Sequence, residues 1–209
     1  MPDILVCFNI YKEPDQQIKD LVRKLKSLNY KNIVCYFDGL HSSKLGIWLH
    51  QNKVDYYFNT YRLKARNQGG LITQNYLVRF ALSLCNCDYL IKIDPDTIPQ
   101  KYLDAFPATV GCNYNSEKRH IYGGCVVWSR STAKTVVSSG YLLDPKYCNS
   151  KYNYYNHRLK EKVACQDLII YDVLERLEIP IEAMKEHIYC RIKGEQNETA
   201  AINQYCFVH

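Results

Sequence analysis

One stretch constrains this chain more than any other: Asp88-Tyr89-Leu90-Ile91-Lys92-Ile93-Asp94-Pro95-Asp96-Thr97-Ile98-Pro99. A short apolar run bounded by proline reads as a buried strand, not a helix. Pro95 fixes its own φ and pushes Asp94 towards extended backbone. The chain therefore leaves the sheet abruptly, with two carboxylates one residue apart at the strand's carboxyl end. Open α/β sheets bind ligands at that end. Carboxylates this close repel unless a cation lies between them. Hard oxygen donors suit Mg²⁺ or Mn²⁺ bridging a diphosphate. Taken alone, the same stretch also reads as an ordinary Asp-rich turn.

The residues before it supply a context. Ile4–Ile10 reads as a first buried strand. A helix starts at Pro14 and Asp15, with Ile18, Leu21, Val22, Leu25 and Leu28 at three- and four-residue spacing and Asn29 as its stop. Residues 33–37 form a second strand ending at Asp38-Gly39, so the sheet starts with a parallel βαβ unit. A short helix over 42–52 and a strand over 54–58 follow. Next comes a basic loop with Arg62, Lys64, Arg66, Asn67, Gly69 and Gly70, then an amphipathic helix over 71–84. Three such strand–helix steps make a nucleotide-binding half-sheet. Neither the G-x-G-x-x-G loop nor the Walker lysine loop is present, so any phosphate falls to metal and side chains.

The second half has strands over 110–114 and 121–128, the latter with Gly123 and Gly124 near its start. Ser129 caps a helix that Gly140 ends. The Tyr- and Asn-rich residues 141–158 read as a long loop. A helix over 165–177 is followed by Pro180, and short strands cover 188–192 and 205–208. The chain stops at His209 directly after an apolar run, the pattern of one piece of a longer polypeptide. A length of 209 residues fits one domain, whose first half (1–99) has the nucleotide-binding pattern and whose second half (100–209) reads differently.

Composition narrows the partners. A formal charge of +6 with scattered lysines and arginines suits an anionic ligand but not nucleic acid, which calls for a basic stripe. Of ten cysteines, Cys7, Cys35, Cys125 and Cys190 lie in strand-like runs, and no Cys-x-x-Cys pair occurs. That usage predicts reduced, buried thiols in a cytoplasmic protein. No signal peptide or transmembrane segment is evident, so the sequon at Asn197-Glu198-Thr199 carries no expectation.

With these pieces placed, the chain resembles a GT-A fold glycosyltransferase: α/β, with a Rossmann-like mixed central sheet and helices on both faces. Asp94-Pro95-Asp96 is similar to the family's Asp-x-Asp, which holds a divalent metal, usually Mn²⁺, on the diphosphate of a sugar nucleotide. Residues 122–129 resemble the glycine-bearing strand that borders sugar and acceptor. Cys165-Gln166-Asp167-Leu168 is similar to the Asp-Gln-Asp-Leu segment of the glycogenin-like group, with Cys165 for the first Asp. It is also similar to the Glu-Asp segment of inverting relatives, with Gln166 for Glu. Residues 205–209 resemble the late strand that ends in a metal-binding His. The Asp-x-Asp placement and the abrupt end are also similar to the first domain of a chlorella-virus capsid glycosyltransferase, which would put the chain in a host cytoplasm.

The resemblance implies a metal-dependent hexosyl- or deoxyhexosyltransferase. It would move a sugar from a nucleotide diphosphate, UDP-linked by expectation, to a glycan or glycoprotein acceptor. It implies Asp94, Asp96 and His209 as metal ligands, with His187 the alternative to His209. Asn9, Asp38, Arg66 and Asp94 would meet the nucleotide, and Gly123, Gly124 and Gln166 the sugar or acceptor. Asp167 would act at the reacting carbon, as general base in an inverting enzyme or as a positioning group in a retaining one. The Gln-Asp-Leu pattern favours retention. Three rivals stand beside this. A haloacid-dehalogenase-type phosphatase would use Asp94 as nucleophile, but its motif belongs near the chain start and needs a later acid pair. A pyrophosphorylase would open with a Gly-rich loop, and residues 9–15 have no Gly. A non-enzymatic nucleotide- or carbohydrate-binding module is the third.

Overall fold

The computed structural model describes residues 2–10, 13–38, 42–59, 78–79, 82–83, 86–148, 152–156, 161–189 and 205–208. The basic loop with Arg66, most of the 71–84 helix, Cys190 and His209 lie outside the described residues.

The first half follows the expected alternation. Strand β1 (Ile4–Ile10) leads to helix α1 (Asp15–Ser27), which buries Ile18, Leu21, Val22 and Leu25 on one stripe. Each such burial is worth roughly 1.5–3 kcal/mol. Asn29 stops the helix in the left-handed region at φ 67, a conformation Asn tolerates better than most residues. Strand β2 (Asn32–Asp38), helix α2 (Ser43–Gln51) and strand β3 (Asp55–Asn59) follow. The Ser42 hydroxyl caps α2 by accepting from the Leu45 N–H at 3.3 Å. Strand β4 is Tyr89–Ile93.

The second half supplies a two-residue strand β5 (Ile98–Pro99), then β6 (Val110–Asn115) and β7 (His120–Ser129). Helix α3 (Arg130–Ser138) is capped by Ser129, whose hydroxyl accepts from the Thr132 N–H, and Gly140 follows its end at φ 71. Strands β8 (Asn153–Asn156) and β9 (Glu161–Ala164) lead to helix α4 (Gln166–Arg176). Strands β10 (Ile181–Ala183), β11 (Ile188–Tyr189) and β12 (Phe207–Val208) complete the described elements.

The main sheet runs β10-β6-β7-β4-β1-β2-β3. Strands β3, β2, β1 and β4 are parallel, while β7 is antiparallel to both neighbours. Alternate residues divide between two cores. Val6, Phe8, Cys35, Ile91 and Ile93 pack under α1 and α2. Leu5, Cys7, Tyr36, Leu90 and Val126 pack under α3 and α4. A small sheet, β11-β12-β5, sits apart, with β12 antiparallel to β5.

Residues 141–158, expected as a long loop, carry more structure than that. Two 3₁₀ turns cover Tyr141–Leu143 and Pro145–Cys148, and β8 pairs with β9 as a ribbon. Weak hydrophobic periodicity hid this: the buried Leu142, Tyr147 and Tyr152 match neither the helix nor the strand period, and polar contacts add to their packing. The Asp172 carboxylate on α4 accepts from Lys146 Nζ (2.8 Å), Tyr147 OH (2.6 Å) and Tyr152 OH (3.2 Å). Partial burial opposes the charged carboxylate, but these donors outweigh it and hold the Asp172 pKa below the ordinary value.

Asp172→Ala should cost about 1–3 kcal/mol in urea unfolding at neutral pH, the range for stranding partly buried donors. Because the folded value is depressed, the contribution is present above the unfolded carboxylate value of about 3.9. It is lost as pH falls through the folded value, so the wild-type advantage should close below about pH 4.

Candidate active site

Strand β1 has β2 on one side and β4 on the other, so the sheet's strand order reverses between β1 and β4. Parallel sheets open a crevice at the carboxyl ends of such a pair. Asn9 lies there on β1, and Asp94 follows β4 directly.

The Asp94–Thr97 turn is pinned from β7. The Gly124 carbonyl accepts from the Asp94 N–H at 2.9 Å and from the Thr97 hydroxyl at 2.8 Å, and Thr97 is buried. The Thr97 N–H closes the turn onto the Asp94 carbonyl at 3.0 Å. From the first turn of α1, Gln17 Nε2 donates to the Pro95 carbonyl at 3.1 Å. The two carboxylates thus leave a braced turn. Asp94 has a side-chain exposure of 38% and Asp96 is exposed, so a hydrated divalent cation can reach both. This all-oxygen pair fits Mn²⁺ or Mg²⁺.

Lys92 lies beneath the turn, two residues before Asp94. Its side chain is only 5% exposed, and its ammonium bonds to Asp94 Oδ1. Burial alone would drive the ammonium's pKa down. Asp94, and more weakly Asp167, outweigh that and hold it above the usual lysine value. It is therefore a buried cation at neutral pH.

Asp167 stands on the first turn of α4, where a carboxylate also favours the helix dipole. Its Oδ2 is 3.5 Å from His120 Nε2, and the His120 ring meets Tyr122 edge to face with centroids 5.2 Å apart. Strand β7 reaches past the end of β4, since Ile93 pairs with Cys125, and so carries residues 120–124 over the acidic turn. Asn9 shares the α4 face of the sheet with Lys92, two residues past the Cys7–Lys92 pairing. Its Oδ1 is buried and has no hydrogen-bond partner among the described residues. Such orphaned acceptors are rare in folded proteins.

The expected residues thus fall into groups. Asn9, Asp94, Asp96, Gly124 and Asp167 come together around the carboxyl ends of β1 and β4. Gly123 precedes Gly124 on β7, Gln166 opens α4, and Asp38 ends β2 with its backbone paired to Asn59; the side chains of Asp38 and Gln166 lie outside the described residues. Arg66 and His209 lie outside them too. Val208, the residue before His209, pairs with Ile98, two residues after Asp96. His187, the alternative ligand, sits at the far end of the small sheet, 3.7 Å from Asp104. Two site residues were missed. Lys92 had a visible signal, a lysine inside a buried apolar run. His120 had none, because only the chain's return through α4 brings Asp167 to it.

This mixed sheet, with a braced acidic turn after β4 and a glycine-bearing antiparallel strand beside it, is the GT-A fold of glycosyltransferases. Two solved structures share it over nearly the whole chain. A glycosyltransferase involved in the glycosylation of the major capsid of PBCV-1 aligns with a TM-score of 0.57 at 13% identity, covering 100% of this chain and 92% of that one. The galactosyltransferase LgtC, solved with donor and acceptor sugar analogs, aligns with a TM-score of 0.57 at 8% identity, covering 98% of this chain and 86% of that one. No protein-family model and no curated protein sequence matches the chain.

Thr97→Val deletes one buried donor at constant shape and leaves the Gly124 carbonyl its Asp94 partner. It should lower stability by about 1 kcal/mol. Thr97→Ser should recover most of that in the same thermal melts.

Proposed function

We propose that the chain is a metal-dependent glycosyltransferase that binds a nucleotide-diphosphate sugar across the β1/β4 crevice and passes the sugar to a glycan or glycoprotein hydroxyl. The observation that carries this is the gathering of Asp94, Asp96, Asp167 and the orphaned Asn9 oxygen at the carboxyl ends of β1 and β4, where the buried Lys92 ammonium pairs with Asp94. On this reading residues 1–99 hold the nucleotide and 100–209 the sugar and acceptor. Both similar structures are described as glycosyltransferases, and one of them was solved with donor and acceptor sugar analogs.

The roles divide by position. Asp94 and Asp96 would hold Mn²⁺ or Mg²⁺, with His209 as third ligand. A bound divalent cation supplies charge neutralisation to a leaving diphosphate. Lys92 fixes Asp94 from below and keeps the acid cluster from repelling itself open. Asn9, at the carboxyl end of β1, would turn its side chain to offer the buried Oδ1 to an N–H of the base. Uracil offers such a donor at N3, and the UDP-linked donor itself rests on the resemblance of Asp94-Pro95-Asp96 to the glycosyltransferase motif. Asp38 and Arg66 would complete the nucleotide contacts, and Gly123, Gly124 and Gln166 would border the sugar.

Asp167 is the acid nearest an incoming hydroxyl. His120 orients it, holding the carboxylate oxygen that faces β7. The likeness of Gln166-Asp167-Leu168 to the glycogenin-like segment supports retention at the anomeric carbon. The product anomer, read by proton NMR coupling, decides that point. A hexose or deoxyhexose is the donor sugar on the same likeness.

Calorimetry tests the reading. UDP, GDP and CMP are titrated with Mn²⁺ and with EDTA into wild type and Asp96→Ala. UDP should bind only with metal, and the Asp96→Ala change should abolish it. Binding of no nucleotide under either condition overturns the reading and turns attention to phosphatase assays with Asp94→Asn as control.

Two further outcomes follow from the geometry. Asn9→Leu removes a buried acceptor without a partner, so stability should hold or rise. UDP affinity should nevertheless fall about tenfold, near 1.4 kcal/mol. His120→Ala should lower kcat for sugar transfer with little change in donor KM, and His120→Gln should restore part of it by keeping a donor towards Asp167.

A further inference from the structure

A second group of ligating side chains stands apart from the acidic turn. Asp104, His187 and Cys206 each offer one atom, and the three atoms lie within 4.8 Å of one another. They gather where β5 ends, whereas Asp96 precedes its start. Backbone pairing sets their placement. Strands β11 and β12 are parallel with Ile188 opposite Phe207. The residues just before each, His187 and Cys206, are locked together because the His187 carbonyl accepts from the Cys206 N–H at 2.7 Å and the Phe207 N–H at 3.2 Å. The Cys206 carbonyl accepts from Gln100 at 2.8 Å, which fixes the start of the segment leading to Asp104. The Leu103 N–H donates to the buried Tyr30 hydroxyl at 2.9 Å and anchors that segment from α1's side.

The spacing is close to that of a bound ion. Tetrahedral zinc with sulfur at about 2.3 Å and nitrogen at about 2.1 Å puts those two ligands roughly 3.5 Å apart. Here Cys206 Sγ is 3.9 Å and Asp104 Oδ1 3.7 Å from His187 Nδ1. Those two pairs need a few tenths of an ångström, and the third, within 4.8 Å, up to about an ångström, which rotation of the exposed Asp104 side chain can supply. The donor set is also unlike that of the acidic turn. A thiolate, an imidazole and one carboxylate select a borderline-soft ion, while paired carboxylates select a hard one. Access suits it as well: Cys206 is fully buried, whereas the side chains of Asp104 and His187 are 79% and 27% exposed. An ion would sit on the sulfur, with its outer side towards solvent and a water as fourth ligand.

We propose that Asp104, His187 and Cys206 form a second metal site, for a borderline-soft ion such as Zn²⁺, that clamps β11 and β12 to the segment following β5. The small sheet gives the clamp a purpose. Among the described residues its strands are two residues each, a short ladder that a bound ion would reinforce. Binding replaces the thiol proton with the metal and releases H⁺ to solvent. Because that proton must leave for the ion to bind, affinity should rise with pH.

The test is titration of the full chain with Co²⁺ as a visible stand-in and with Zn²⁺ in competition. Wild type should show a thiolate-to-cobalt charge-transfer band and intense tetrahedral visible bands that Zn²⁺ bleaches. The Asp94→Ala/Asp96→Ala double variant should keep them, which separates this site from the acidic turn. Cys206→Ser should lose the charge-transfer band. Asp104→Asn, an exposed change that leaves the fold intact, should weaken Zn²⁺ at least tenfold. No band in wild type, a band that survives Cys206→Ser, or unaltered affinity in Asp104→Asn overturns the proposal. If Cys206→Ser fails to fold, the Asp104→Asn result decides alone.

Discussion

The buried Lys92 ammonium is the constraint on which the crevice depends. A lysine inside a strand whose last four residues are buried is costly unless an anion meets it. Asp94 does so, and Asp167 lies within its field. The reverse also holds. Asp94, Asp96 and Asp167 converge on one opening, and without an internal cation their repulsion would favour another arrangement of the turn. The strand therefore carries its own counter-ion, two residues ahead of the acid it serves, on the same face by the period of two.

The backbone brace works alongside that charge. One carbonyl, that of Gly124, receives both the first residue of the acidic turn and the hydroxyl of its last. Strand β7 is antiparallel to β4, so its early residues project beyond β4's end rather than stopping level with it. The same overhang carries His120 to the start of α4 and Asp167. A parallel neighbour at this place would have ended with β4 and left the turn without a wall. The change of direction in the sheet is thus what builds the site's second side.

Much of the fold was legible because it rests on local patterns. The stripe of Ile18, Leu21, Val22 and Leu25, the Ser129 cap and the Gly140 stop each act within a turn or two of chain, and each appears where the spacing places it. The acidic turn was legible for the same reason, since a proline between two acids after an apolar run leaves little freedom. The turns before β8 were not, because the contacts of Lys146, Tyr147 and Tyr152 that hold them come from Asp172, on a helix later in the chain. Strands β5 and β10 were missed because two or three residues carry no period at all. His120 was missed for a different reason. Its place beside Asp167 depends on α4 crossing β7, a contact 47 residues apart in the chain by subtraction of 120 from 167.

The small sheet connects these observations. Strand β5 begins two residues after Asp96, so whatever holds β5 also sets the direction in which the second carboxylate leaves its turn. Holding it falls to β12, with the Phe207–Pro99 and Val208–Ile98 pairings, to the Cys206 carbonyl's bond from Gln100, and to the packing of Phe207 against Tyr30 and of Tyr30 against Tyr102. Those rings lie on the α1 side of the sheet, opposite Lys92 and Asp167. Asp94 is thus fixed from the α4 face by charge, while the exit of Asp96 is fixed from the α1 face by aromatic packing. The acid pair lies where these two supports meet, and its geometry depends on residues from both ends of the chain.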